Sequence, residues 1–382
     1  MRLKNIFALL LIVLSCSALF FAAYLASSAL PVQDLSIYWS AAHLVRSNPY
    51  SFQAVATFEK ANGIFSVSPF LVLRNPPWAI LFVLPLGLFS YRVSFALWTV
   101  FSILAVTSCS RAIWRLFVPA DSLAPVLLPL FFGPTIVLLL LGQWTILVLI
   151  GVTLFLVLVE RGRDWLAGAS LLLVAGKPHV ALLFLIAVAF WSIYRKRLAI
   201  LYSAGLALIA SCVAIGAINP LIFSQFLERT REFVGERMVY PNAGGILYVT
   251  SGSHALALAP QIAGIFWLLF YWFRHRNDWD WKRQGMLVLA ASVACSYYSF
   301  PYDEIVVLPA LISAFLNGRR TVFYLCFAAT NAGYAAYLFQ FAGSLGFSYM
   351  FLSWTATAWL LTYLASTARL NLQAVAIADA GN

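Results

Sequence analysis

Long apolar runs alternate with short polar breaks along nearly the whole chain. The first run, Ile6 to Leu25, is long enough to cross a bilayer, which takes about 20 residues. Later runs cover Val93 to Ile113, Thr145 to Val159, Leu166 to Gly176, Val180 to Ile193, Leu198 to Ile218 and Ala255 to Phe273. Four more lie at 285–300, 304–317, 321–341 and 346–366. Asn75-Pro76-Pro77-Trp78 opens another expected span that ends at Tyr91-Arg92. The stretch LAPVLLPLFFGPTIVLLLLGQW is interrupted by Pro125, Pro129 and Gly133-Pro134, which predicts two short helices in place of one crossing. The pattern predicts an all-α, polytopic integral membrane bundle with about twelve to fourteen membrane segments.

Two polar stretches are long enough to hold structure of their own. In 31–75, apolar Leu35, Tyr38, Trp39, Ala42 and Val45 recur at helical spacing, between Pro31 and Asn48-Pro49. They predict a short amphipathic helix with Asp34 at its first turn. A carboxylate there is favoured by unpaired backbone N–H groups and the helix dipole, so Asp34 is either a general base or a helix cap. Phe52 to Ala61 predicts a second amphipathic piece. The other stretch, 219–254, holds a third, Phe223 to Val234.

Charge fixes the expected orientation. Arg2 and Lys4 precede the first run, which reads as an uncleaved signal anchor with its N-terminus in the cytoplasm. Counting crossings from there puts 31–75 and 219–254 on the outer face as two large loops. The basic clusters at 161–163, 195–197, 274–283 and 319–320 then fall inside, with Arg111 and Arg115 as exceptions. The expected location is the inner (plasma) membrane, with the chain, 1–382, forming one polytopic domain.

Composition agrees: 63% of residues are hydrophobic and 10% charged, against about 25% charged in soluble domains. The net charge of +11 sits in short clusters between apolar runs. That pattern suits anionic lipid headgroups and excludes nucleic acid as an expected partner. The five cysteines all lie in apolar segments without paired spacing, so neither a disulfide framework nor a zinc site is expected. His43, His254 and His275 lack metal-ligand spacing, and no metal or cofactor is expected.

Polar groups at membrane depth are costly and mark functional candidates. Besides Asp34 these are Gln143, Lys177 with His179, and Asp303 with its neighbours Tyr302 and Glu304. Lys177 interrupts an otherwise apolar run. It either binds an anionic group such as a phosphate or pairs with a carboxylate such as Asp303.

The same residues carry a family resemblance. Asp34, Tyr38, Ala41 and Asn48-Pro49-Tyr50 form one element, and Asn75-Pro76-Pro77 with Pro85-Leu86 another. Gly142-Gln143 follows, then Ala167-Gly168 with Gly176-Lys177-Pro178-His179, and finally Tyr302-Asp303 with Leu308-Pro309-Ala310. Their order and spacing resemble glycosyltransferase family 87, membrane transferases of GT-C type. Asn75 stands where the family usually has tyrosine, and Ser47 where it usually has glycine. The resemblance implies inverting transfer of a hexose, mannose by family precedent, from a polyprenyl-phosphate donor to a lipid or glycan acceptor on the outer face. It implies Asp34 as general base. Lys177, His179 and Arg74 are the expected donor-phosphate residues, and Tyr38, Gln143, Tyr302 and Asp303 the expected substrate-binding residues. The alternative class is a polytopic transporter or lipid flippase, since broken helices with charges at membrane depth suit that as well.

Overall fold

The computed structural model describes residues 2–29, 34–64, 72–119, 122–234, 240–341 and 349–380. Among them the chain is helical, with no strand. In chain order, α1 spans Arg2–Ala29, α2 Leu35–Leu44, α3 Phe52–Ala61, α4 Tyr91–Phe117, α5 Ala124–Leu130 and α6 Gly133–Leu141. The middle of the chain holds α7 (Thr145–Glu160), α8 (Asp164–Val174), α9 (Leu182–Tyr194), α10 (Ala199–Ile218) and α11 (Ile222–Val234). The last third holds α12 (Ala243–Ser251), α13 (His254–Ala257), α14 (Ala259–His275), α15 (Met286–Ala294), α16 (Leu308–Asn317), α17 (Arg320–Phe341) and α18 (Thr355–Ala380).

The polytopic all-α class predicted from the apolar runs is the observed one, built from helices of mixed length. Among the described residues, Tyr91–Phe117, Ala199–Ile218 and Arg320–Phe339 are each long and apolar enough to cross a membrane alone. Helices α5 and α6 form a pair bent by 64°, at the Gly133-Pro134 break. Shorter apolar helices such as α7, α8 and α9 complete the set. Tyr202, Leu206, Ile209 and Val213 make an exposed apolar stripe on α10, and Ile262, Phe266, Phe270 and Phe273 one on α14. Stripes this continuous are unfavourable in water and at home in hydrocarbon.

Two expected spans are corrected. The segment after Asn75 is no continuous helix: Pro77–Phe82 and Leu84–Leu88 are two 3₁₀ turns. Pro77 and Pro85 lack the N–H that an α-helix needs beyond its first turn, so the chain restarts twice. The run at 285–300 is helical only to Ala294, and Pro301–Val307 is a 3₁₀ turn that leads into α16.

The chain forms two compact units. The first comprises Met1–Ala105, Leu139–Ile146 and Leu208–Glu236; the second comprises Val106–Leu138, Leu147–Ala207 and Arg237–Asn382.

In the first unit, α2 is held by side chains that reach backbone or bury charge. Trp39 Nε1 donates to the Phe89 carbonyl at 2.9 Å, and the Trp39 ring packs on His43 and Phe58. Tyr50 donates its hydroxyl to the Asn75 carbonyl at 2.9 Å, which ties the Asn48-Pro49-Tyr50 element to the Asn75-Pro76-Pro77 element. Asn219 Nδ2 donates to the carbonyls of Val45 at 2.9 Å and Ser47 at 3.1 Å. The start of the second polar stretch therefore fastens the end of α2. From α3, buried Glu59 accepts from Ser40 at 3.1 Å.

The second unit satisfies its broken helices with side chains from other helices. Gly133 N, at the bend between α5 and α6, donates to Asn331 Oδ1 on α17 at 2.7 Å. Leu183 N, at the start of α9, donates to Ser292 Oγ on α15 at 3.0 Å. Such orphan helix-end donors need partners where water is excluded. Ala167-Gly168 on α8 has a packing reason: a Cβ on Gly168 would lie 2.1 Å from the Ile200 carbonyl oxygen and 2.0 Å from Ser203 Oγ. Helix α8 thus meets α10 backbone to backbone, a contact that only glycine permits.

Near the polar ends, Arg197 forms an ion pair with Asp164 and lies 4.8 Å over the Trp191 ring. Lys282 pairs with Glu160 at 2.8 Å.

Two stability predictions follow from this packing. Gly168→Val should lower the melting temperature in detergent by an amount equivalent to about 1–3 kcal/mol, the usual cost of forcing a side chain into a filled contact. A melting temperature equal to that of the parent would mean that α8 and α10 are not in backbone contact.

Glu59 supplies the second. Burial raises its carboxyl above the ordinary value of 4.5, and hydrogen bonds from serine oppose that rise. The folded chain then holds the proton more tightly than the unfolded chain. Stability therefore falls as pH rises from the ordinary value through the raised one. As pH rises above the ordinary value of 4.5, wild type should lose melting temperature relative to Glu59→Gln, and the two should agree best at the acid end. A constant difference as pH rises would contradict the prediction.

Candidate active site

In the first unit the candidate residues gather around the start of α2. Asp34 precedes the helix with helical backbone angles, φ −60° and ψ −18°, and its side chain makes no cap hydrogen bond. The cap reading of Asp34 therefore fails on geometry. Its carboxylate instead accepts a hydrogen bond from Gln143 Nε2. Gln143 Oε1 in turn accepts from the Tyr38 hydroxyl at 3.0 Å, and both Gln143 and Tyr38 are buried. Tyr38 lies four residues beyond Asp34, on the same helix face.

Gly142 explains how Gln143 reaches this place. It has φ +65°, the left-handed region that side chains disfavour. A Cβ there would lie 2.8 Å from Leu35 Cβ. The turn between α6 and α7 thus passes against the first residue of α2, and the next side chain faces Asp34. Arg74 belongs to this unit also, half-buried beside Asn75.

The second unit brings Lys177 and Asp303 together, as the pairing alternative anticipated. Lys177 Nζ donates to Asp303 Oδ1 at 2.8 Å, and both side chains are buried. The ammonium lies 4.7 Å from the Tyr302 ring centroid. Asp303 Oδ2 accepts from Phe300 N at 3.0 Å, so the same carboxylate also fixes the start of the 301–307 turn. His179 stacks edge-on against Tyr298 at 4.7 Å. Its Nε2 is buried and has no hydrogen-bond partner among the described residues.

Glu304 is the residue whose part was least visible in the sequence. It is buried and accepts from Tyr334 at 2.6 Å, Thr355 at 2.7 Å and Trp359 Nε1 at 2.8 Å. Its three donors come from α17 and α18, more than 29 positions along the chain, since the nearest, Tyr334, is 30 residues away. The acidic pair in Tyr302-Asp303-Glu304 is split between two duties. Asp303 faces the lysine, and Glu304 locks the turn to the C-terminal helices.

The model of glycosyltransferase family 87 matches residues 73–304. That stretch covers more than half of the chain and includes Arg74, Gln143, Lys177, His179, Tyr302 and Asp303; Asp34 and Tyr38 precede it. No curated protein and no solved structure matches the chain. With motif order, helical architecture and family match in agreement, the chain belongs to glycosyltransferase family 87, a family of membrane glycosyltransferases.

Proposed function

We propose that the chain transfers a hexose, in the first instance mannose, from a polyprenyl-phosphate donor to a lipid or glycan acceptor, with inversion, at the outer face of the plasma membrane. The observation that carries this reading is the state of Asp34. Its carboxylate is not used as a helix cap, and an amide donor orients it.

In this proposal the acceptor hydroxyl gives its proton to Asp34. The hydroxyl oxygen bonds to the anomeric carbon from the side opposite the phosphate. The anomeric carbon–oxygen bond to phosphate breaks, and polyprenyl phosphate leaves with the electron pair. Lys177 supplies positive charge for that leaving group, with His179 and Arg74 as further donors to its oxygens. The Asp303 carboxylate supports the Lys177 role by holding its ammonium in a fixed place at 2.8 Å. Tyr302 presents its ring to the same ammonium, and Tyr302 and Asp303 are the proposed contacts to sugar hydroxyls. Broken helices suit transporters too, but a carboxylate fixed within a rigid polar stretch, outside the long apolar helices, favours the transferase.

Three measurements test the reading. Asp34→Asn keeps size and leaves fold and donor binding intact. It should slow transfer from a polyprenyl-phosphate sugar in detergent at least about 100-fold, the lower range for loss of a general base. Transfer within a few-fold of wild type would reject Asp34 as base.

Lys177→Met keeps the apolar stem and removes the charge. It should weaken donor use sharply, whereas normal donor affinity and turnover in a folded variant would leave Lys177 a structural partner of Asp303. For orientation, single cysteines at positions 60 and 196 should be labelled by an impermeant reagent from the outside and the inside respectively. The reverse pattern would place the proposed chemistry on the wrong face.

A further inference from the structure

Resting on the reading of Asp34 as base, we infer that Gln143 and Tyr38 are positioning residues for that base: a two-bond clamp that starts and ends on α2 and fixes which way the Asp34 carboxylate points. The family resemblance implied direct contacts to substrate for both.

Three observations carry the inference. Both polar ends of Gln143 are engaged, its amide nitrogen with Asp34 and its amide oxygen with the Tyr38 hydroxyl. Asp34 and Tyr38 are one helical turn apart, so the glutamine bridges two side chains of a single rigid element. The backbone that delivers Gln143 is itself constrained, since Gly142 has φ +65° and no room for a side chain against Leu35.

The amide can sit only one way round. If it were flipped, its carbonyl oxygen would face the carboxylate, and two acceptors repel. The Tyr38 hydroxyl, by donating to Oε1, holds the amide in the orientation that presents N–H to Asp34. Tyr38 therefore acts on Asp34 through Gln143. The hydrogen bond from Gln143 to one oxygen restricts the direction of the Asp34 carboxylate, and general-base catalysis depends on that direction being right for the acceptor hydroxyl.

The experiment is steady-state transfer from a synthetic polyprenyl-phosphate mannose to extracted lipid acceptor, with full-length protein in detergent. The variants are Gln143→Leu, Tyr38→Phe, Asp34→Asn, and the doubles Asp34→Asn with Gln143→Leu and Tyr38→Phe with Gln143→Leu. Gln143→Leu should lower kcat about 10- to 100-fold, the range for one hydrogen bond to a charged group. KM for donor and acceptor should stay within about 3-fold of wild type, as expected when only the reacting group is disturbed. Tyr38→Phe should lower kcat about 2- to 10-fold, the range for a neutral hydrogen bond.

Neither double should be slower than its slower parent, because each pair acts along one chain of contacts. If Gln143→Leu raises KM and spares kcat, or if its loss multiplies with that of Asp34→Asn, Gln143 contacts substrate and the inference is overturned. If Gln143→Leu fails to fold, Tyr38→Phe decides by the same kcat-against-KM split, since it removes a single oxygen. If Asp34→Asn itself transfers normally, the base reading has failed first, and the clamp with it. That result is distinct from an inactive Asp34→Asn with a substrate-type Gln143.

Discussion

A charge buried in an apolar protein is costly unless it is paired or fully hydrogen-bonded, and much of the second unit follows from that constraint. Lys177 and Asp303 are both buried and pair at 2.8 Å. Removing one partner of such a pair typically costs about 3–5 kcal/mol, because the other is left uncompensated. The pair therefore dictates its surroundings. Lys177 needs a break between α8 and α9 to point inward, and Pro178 supplies part of that break. Asp303 needs a turn whose backbone can donate to it, and the 3₁₀ turn at 301–307 does so through Phe300 N. Glu304 then takes three donors from α17 and α18. That carboxylate is fully used in fastening the turn, which leaves Asp303 in a fixed place opposite the lysine.

The first unit solves a different problem, which is to make a polar stretch rigid without a large hydrophobic core. Its short helices are tied by side chains that bond to backbone carbonyls. Tyr50 reaches Asn75, Trp39 reaches Phe89, and Asn219 reaches Val45 and Ser47. Each bond joins segments far apart in sequence, so the stretch behaves as a scaffold. It also accounts for a departure from the family pattern. Ser47 replaces a usual glycine, yet its φ is not positive: among the described residues Lys196 is the only non-glycine with φ in that region. What the position supplies is a carbonyl acceptor for Asn219 and Gln225, and serine provides that as well as glycine.

What was legible in the sequence followed from local rules. The amphipathic spacing from Leu35 to Val45 gave α2, and that from Phe52 to Ala61 gave α3 with its observed bounds. The prolines at 125, 129 and 134 gave the bent pair. The failures were nonlocal or concerned backbone chemistry. Apolar residues after Asn75 satisfied a hydropathy reading, but prolines at two positions cut the segment into 3₁₀ turns. Asp34 has the residue type and position of a cap, and no local rule reveals that Gln143, 109 residues away, draws its side chain elsewhere. Glu304 looked like a companion of Asp303 because its partners on α17 and α18 leave no trace near it in sequence.

The contrast between the two aspartates bears on the proposal that Asp34, and not Asp303, is the base. Asp303 has one oxygen on an ammonium and the other on a backbone N–H. Moving a proton onto it would weaken both contacts and leave Lys177 as a buried charge without its counter-ion. Asp34 is only half-buried, and its identified donor is a neutral amide. In the proposed reaction the base gains and releases a proton in every turnover, which the pairing of Asp303 with Lys177 opposes. By that reasoning Asp303 suits a permanent partnership with Lys177 and is the poorer candidate for the reacting proton, which is consistent with the proposal that Asp34 is the base.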